Sequence, residues 1–285
     1  MTKYLFFSII IASLFLISCD KDDTSQEIPS YIRIDTIMLK TNPNIAEGSL
    51  SHNITDAWVY VNSRLVGAFE LPAVFPVLEQ GDAEIMIKAG IKMNGVSETR
   101  IPYPFYADYK ISKVTLTPDE VTLVEPSVTY DDNSIFPWKE SFDSEDIRVK
   151  IEGDTTIQRI YGDEAFDNNG SGRIVLEDSA TFFEITSDTG YVLPQNGQPS
   201  FLELNFKTNR QITTGLYAEN PATSNQNAIV VLNPANEWKK IYINLTSRVL
   251  NTPNANSYRI FLGTTRNFEE EPLIFDFDNL KMVHY

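Results

Sequence analysis

One cysteine, two histidines and no convincing helix-period stretch limit what this 285-residue chain can be. With Cys19 as the sole thiol, neither a disulfide framework nor a cysteine metal cluster is available. The histidines, His52 and His284, lie far apart in sequence, so a Ser-His-Asp triad or a histidine-based zinc site has almost nothing to be built from. Positive charge is also scarce. Against 23 Lys and Arg stand 39 Asp and Glu, a net charge of −16 that repels phosphate backbones and argues against nucleic acid as a partner. A glycosidase needs only two suitably spaced carboxylates, and Glu177–Asp178 or Asp163–Glu164 supply pairs. In so acidic a chain, such pairs read as solvated surface, and no enzyme is expected.

Long apolar runs are missing too, except at the start. Lys3 precedes the apolar stretch Tyr4 to Leu16, which is too short and too early for a permanent membrane span and reads as a signal peptide over 1–18. It ends in Leu16-Ile17-Ser18-Cys19, which resembles the bacterial lipobox. That resemblance implies lipidation of Cys19 and cleavage before it, leaving 267 residues and, with Lys3 gone, a net charge of −17. Two or three acyl chains per anchor hold stably where one binds reversibly. Residues 19–30 read as a solvated tether. Within it Asp20, Lys21, Asp22 and Asp23 resemble the surface-export signal of Bacteroidota lipoproteins, implying an outer-membrane, cell-surface location; a charged linker facing the periplasm is the plainer reading.

What is plentiful is period-two alternation. Tyr31-Ile-Arg-Ile-Asp-Thr-Ile37, Ala57 to Asn62, Glu84 to Lys88, Ser112 to Leu116 and Val121 to Val124 alternate, with turn residues between them. They predict an antiparallel sandwich over 31–135. Val59-Tyr60-Val61-Asn62-Ser63-Arg64-Leu65-Val66-Gly67, then Leu71-Pro72 and Gly81-Asp82-Ala83-Glu84-Ile85, resemble PEGA-like or carboxypeptidase-regulatory-like modules, with Ser63 where glycine is usual. The resemblance implies an immunoglobulin-like sandwich and no activity. Tyr130-Asp131-Asp132-Asn133-Ser134 and Pro137 place a boundary near residue 135.

From 136 to 285 strand signals come quickly: Ile147–Ile151, Arg173–Leu176, Thr181–Ile185, Leu202–Phe206, Lys240–Leu245, Tyr258–Leu262 and Ile274–Phe277. The continuous apolar run Ile229–Leu232 suits a central strand. So many strands in about 150 residues predict a jelly-roll β-sandwich, and the whole chain is expected to be all-β. Glu237-Trp238-Lys239-Lys240-Ile241-Tyr242-Ile243-Asn244-Leu245-Thr246, with Phe277-Asp278-Asn279-Leu280-Lys281-Met282, resembles the galactose-binding-like jelly rolls of carbohydrate-binding modules. That resemblance implies a structural calcium held by acids near both chain ends, for which Asp143, Asp146 and Asp278 are the candidates. A second calcium reading is Asp167 to Asp178, whose oxygen residues match an EF-hand loop on paper; a Gly/Asn-rich hairpin turn is its alternative.

Flat aromatic rings stack on sugar C–H faces while amides and carboxylates bond the hydroxyls. Tyr191, Tyr217 and Trp238, beside Pro194–Gln198 and Ser224–Asn227, are the glycan-binding candidates, with Tyr161 in similar company; a core-capping role is the other reading of Trp238. Asp35-Thr36-Ile37, Asp154-Thr155-Thr156 and Asp178-Ser179-Ala180 resemble Bacteroidota O-glycosylation acceptors, and strand Ser/Thr reads as well. Three functions remain open: a surface lipoprotein binding polysaccharide, an accessory subunit using its sandwich faces in an outer-membrane protein complex, and, least favoured, a carboxylate-dependent glycan hydrolase.

Overall fold

The computed structural model describes residues 28–267 and 271–285. Cys19 and the Asp20, Lys21, Asp22, Asp23 cluster lie outside them. The fold is all-β, and the described residues contain one five-residue α-helix, α1 (Thr246–Leu250).

The first strands are β1 (Ser30–Ile34), β2 (Met38–Leu39), β3 (Asp56–Val61), β4 (Arg64–Glu70) and β5 (Ala73–Val77). They are followed by β6 (Gly81–Lys92), β7 (Arg100–Pro102), β8 (Tyr109–Leu116), β9 (Val121–Leu123) and β10 (Ser127–Val128). One sheet runs β4-β3-β6-β7 with β8 also on β6; it faces a β5-β1-β9 sheet and a β2-β10 pair. The alternation explains the sandwich: Ala57, Val59 and Val61 on β3 and Ile85, Ile87, Ala89 and Ile91 on β6 all point into one core with Ile32 and Ile34. The pairing is not wholly antiparallel, because β1-β9 and β2-β10 run parallel, closing the sandwich with distant chain segments. At the β3–β4 turn Asn62 and Ser63 both hold left-handed φ (48° and 63°), the conformation for which glycine is usual. Asn62 braces the turn by accepting the Glu84 amide at 3.0 Å.

The remaining strands are β11 (Ile135–Glu140), β12 (Val149–Gly153), β13 (Ile157–Ile160), β14 (Ser171–Leu176), β15 (Phe182–Ser187) and β16 (Ser200–Thr208). Then come β17 (Ile212–Glu219), β18 (Ser224–Leu232), β19 (Ala235–Asn244), β20 (Ser257–Thr265) and β21 (Leu273–His284). They form a sandwich of two sheets, β13-β14-β21-β16-β19 with β11 also on β21, and β12-β15-β20-β17-β18. Between them lies a core built on Phe183, Phe275, Phe277, Leu204, Leu216, Ile260 and Trp138.

Four details depart from the sequence reading. Ile229–Leu232 belongs to β18, an edge strand with Val231 49% exposed, because its ladder stops at β17. The loop expected at Ser224–Asn227 is the start of that strand, and β17 escaped notice because Gly215 sits at a bulge that breaks its alternation. Pro137 does not end a ladder: it lies in β11 where the register shifts between Ile135 and Trp138, so its missing N–H costs no regular bond. The EF-hand-like stretch does not wrap. After the short 3-10 turn Phe166–Asn168 it extends as β14, paired with β13 and β21.

The two groups of strands meet over the outer face of β16, β19 and β21. Glu203 on β16 is fully buried there and accepts from Tyr103 Oη (2.7 Å) and Tyr130 Oη (2.9 Å), while Lys240 Nζ lies 3.1 Å away. Desolvation pushes its carboxyl up, but Lys240, Lys281 and Tyr103 outweigh it and hold the group below its ordinary value. Lys281 Nζ donates to the Glu47 and Ser49 carbonyls, each at 2.9 Å. Asn94 N–H donates to Tyr242 O and Asn94 Oδ1 accepts from Asn244 N–H, both at 2.8 Å. Around these bonds pack Tyr103, Phe105, Tyr106, Phe201 and Tyr242, ring against ring. Removing the carboxylate strands a buried ammonium and two phenols. Glu203→Ala is therefore expected to cost about 3–5 kcal/mol, measured by urea unfolding; a loss below about 1 kcal/mol, the worth of an exposed pair, would contradict this account of the junction.

Candidate functional site

The outer face of the β12-β15-β20-β17-β18 sheet carries a chemically organised patch. Cross-strand register puts Tyr217 of β17 between Arg259 of β20 and Gln226 of β18, and Gly215 between Phe261 and Ala228. Glu184 on β15 accepts from Tyr217 Oη and from Gln226 Nε2, each at 2.7 Å. Arg259 lies over the Tyr217 ring, 5.3 Å from its centre, and pairs with Glu219 at 2.7 Å. Burial, then the Glu184 hydrogen bond, raises the Tyr217 phenol well above its usual range, so it remains a neutral donor at physiological pH. Phe261 lies 5.5 Å from Tyr217, tilted, and is only 2% exposed although it stands on the outward side. A Cβ at Gly215 would stand 2.1 Å from Asn227 O and 2.9 Å from the Phe261 ring, so any side chain there would clash with the β18 backbone and that ring. Phe261, Glu184, Gln226, Thr213 and Gly263 are among the residues lining a shallow cavity of about 330 Å³.

The other aromatic candidates lie elsewhere. Tyr191 bridges to Tyr258 and packs against the core; its hydroxyl donates to Asp188 at 2.6 Å and accepts from Arg148. Burial first, then the Asp188 bond, raises it to about 12. Trp238, on β19, is half-buried outside the core cluster, edge-to-face with Phe166 at 5.6 Å, in a cleft at the junction. A core-capping role does not describe that position. Tyr161 is exposed beneath Arg159. Of Tyr191, Tyr217 and Trp238, therefore, only Tyr217 stands in the sheet-face patch. Glu184, Arg259 and Phe261 were missed, although the alternation of Phe182–Ser187 and Ser257–Thr265 marks them as the residues opposite the core-facing set, while Gln226 lies in the Ser224–Asn227 stretch named from the sequence.

The acids near the chain ends come together in part. Asp143 and Asp278 flank a cavity of about 370 Å³ with Asp167, whereas Asp146 is exposed on the loop outside it. Asp278 accepts from Ser171 Oγ at 2.6 Å and from the Asn279 amide at 2.6 Å. Burial nevertheless raises its carboxyl to about 7, with Asp143 and Asp167 adding repulsion. Oxygen donors and surplus negative charge suit calcium. No group of three acidic, histidine or cysteine side chains among the described residues is spaced to hold a metal, and Arg159 already binds the Phe142 and Asp143 carbonyls. The set thus fits calcium in donor type and charge but is not drawn into a cage. His52 lies at the junction cleft, and His284 ends β21 in contact with the Tyr285 carbonyl.

No family model matches the sequence, and no curated protein matches it. Solved structures do. The chain is similar to a Clostridium thermocellum xylanase fragment of a family 22 carbohydrate-binding module and a GH10 module, solved with xylohexaose, at 15% identity and TM-score 0.41. That match covers 53% of this chain and 28% of that one. A xylan-binding domain of family 22 matches at 13% identity and TM-score 0.36 over 52% and 94% of the two chains. A family 29 module in complex with mannohexaose matches at 11% and 0.36 over 53% and 92%. At these identities the likeness concerns the β-sandwich fold alone.

Between its unfolded value of 3.8 and its native value near 7, Asp278 holds its proton more tightly in the folded protein, so its ionisation removes stability as pH rises through that window. In the presence of a chelator, the wild-type melting temperature is expected to fall between pH 5 and pH 8 relative to Asp278→Asn. Calcium should recover the difference at pH 8 and leave the variant unmoved. Parallel curves for the two proteins in chelator would exclude the raised carboxyl, and a wild-type melting temperature unmoved by calcium at pH 8 would exclude the cation.

Proposed function

We propose that the chain is a non-catalytic polysaccharide-binding lipoprotein and that the outer face of the β12-β15-β20-β17-β18 sheet is its glycan surface. The observation that carries this is the Tyr217–Glu184–Gln226 array above the Phe261 floor. A carboxylate already aligned by two donors keeps lone pairs for sugar hydroxyls, charge-assisted bonds about twice as strong as neutral ones. Tyr217 stands beside it with Arg259 over its ring, and Phe261 lines the floor of the adjoining cavity. Five strands about 4.8 Å apart give a track about 19 Å wide, which suits a short run of sugar units. Nothing in this array moves a proton or attacks a bond, and the acid pairs Asp163–Glu164 and Glu177–Asp178 are exposed, Glu164 against Arg173.

Tyr217→Ala is expected to weaken polysaccharide retention in affinity gels by roughly 1–3 kcal/mol, as loss of a contact aromatic does. Glu184→Gln should weaken it with melting preserved. Retention equal to wild type in both variants, or no retention of any polysaccharide in a broad panel, would end this reading. It would leave the accessory subunit of an outer-membrane complex in front.

The proposal extends to location. Lipid on Cys19 would hold the protein at the outer membrane, with Asp20, Lys21, Asp22 and Asp23 directing it outward and the two sandwiches, 31–135 and 136–285, standing beyond the tether. Cys19→Ala should abolish labelling by a palmitate analogue in cells; a labelled variant would remove the anchor from the account.

A further inference from the structure

A second binding surface lies where the two groups of strands meet. Between the 51–53 segment, the β6–β7 turn and the outer end of β19 runs a cleft of about 510 Å³. Its aromatic wall is Trp238 with Phe166 set edge-to-face against it. Its floor includes Asn205, which is 2% exposed and whose Oδ1 has no hydrogen-bond partner. A buried acceptor left unpaired costs about 1–3 kcal/mol, and a ligand hydroxyl or N–H would satisfy it. Asn205 sits opposite Lys240 on one side and Asp278 on the other, so this acceptor lies in a polar row crossing the sheet.

The charge lining the cleft is one-sided. Lys92, Lys239, Lys240 and His52 line it and no carboxylate does, in a chain with 39 acids. Lys92 is paired with Glu70 and Lys240 with Glu203, both outside the lining, whereas Lys239 is exposed and reaches the cleft from the Phe206 side of the edge strand β19. His52 is kept neutral by burial and by Lys240, and so is available as a donor or acceptor. Beyond Phe166, which lines both cavities, the neighbouring one is acidic, with Asp143, Asp167 and Asp278. The field along the two cavities therefore draws an anionic group toward Lys239 and away from Asp278.

We propose that this cleft binds an anionic saccharide, at a site separate from the Tyr217 face. The flat apolar side of a pyranose would lie on Trp238, a hydroxyl would donate to Asn205 Oδ1, and the carboxylate or sulfate would sit by Lys239. Such a sugar is the ligand class that meets all three features together. A neutral glycan leaves the basic end unused, and a simple anion leaves the aromatic wall and the acceptor unused.

The test is titration calorimetry of the full mature chain with three probes: tetragalacturonate, a sulfated galacto-oligosaccharide and a neutral galactotetraose. At least one anionic probe is expected to bind at least tenfold more tightly than the neutral one, with affinity falling as salt rises. Lys239→Glu, a surface change that leaves the core untouched, should weaken that probe at least tenfold. Trp238→Phe, which keeps the packing against Phe166, should remove the tryptophan fluorescence change on binding. Equal affinity for charged and neutral probes, no binding of either anionic probe at millimolar concentration, or an unchanged affinity in Lys239→Glu would each overturn the proposal. Running Tyr217→Ala alongside separates the sites: anionic binding lost there but kept in Lys239→Glu assigns the ligand to the sheet face and overturns the cleft.

Discussion

A carboxylate buried where water would ordinarily solvate it organises this molecule. Glu203 occupies the outward side of β16, a position that in an isolated sandwich would face solvent. The first group of strands covers it, and the cost of burying the charge is met by Tyr103, Tyr130 and Lys240 together. Because the donors come from both groups, the bonds form only when the two sandwiches dock in one orientation. The aromatic packing of Tyr103, Tyr106, Phe201 and Tyr242 then excludes water around them and strengthens each polar contact.

That docking also shapes the two surfaces proposed to bind ligands. It holds the 47–53 segment over β19 and β21, which creates the cleft floored by Asn205 and lined by Trp238, and it leaves the opposite sheet uncovered. The sheet that meets the partner sandwich gains buried charge. The sheet that faces away carries Tyr217, Glu184, Gln226 and Arg259 in an arrangement held by its own cross-strand bonds. One face thus serves assembly and the other is open to solvent, as expected of two packed sheets with different neighbours.

The Asp278 region shows the same logic with the opposite sign. Glu203 has cationic partners and stays ionised, whereas Asp278, one row further along the sheet, has only Ser171 and a backbone amide against two more acids. Its carboxyl rises accordingly. Two acids of one strand pair's neighbourhood differ in ionisation because Glu203 has Lys240 and Lys281 on the strands flanking its own, whereas Asp278 faces Asp143 and Asp167.

Alternation alone determined the strand content, the sandwich architecture and most core residues: Val59, Ile87, Leu204 and Phe277 face inward as period-two patterning requires. It also marked Tyr217 as an aromatic on a turn-rich, amide-rich stretch. What it left open was the fate of the residues between. Glu203, Asn205, Lys240 and Lys281 alternate with apolar neighbours just as Glu184, Tyr217 and Arg259 do, yet the first set is buried at the junction and the second lines a largely open face. Trp238 likewise read as core or as sugar platform until Phe166 and the junction cleft placed it. A period of two assigns a side chain to one face of its sheet. Only the packing of residues a hundred or more positions apart decides whether that face meets water, a second sandwich or a ligand.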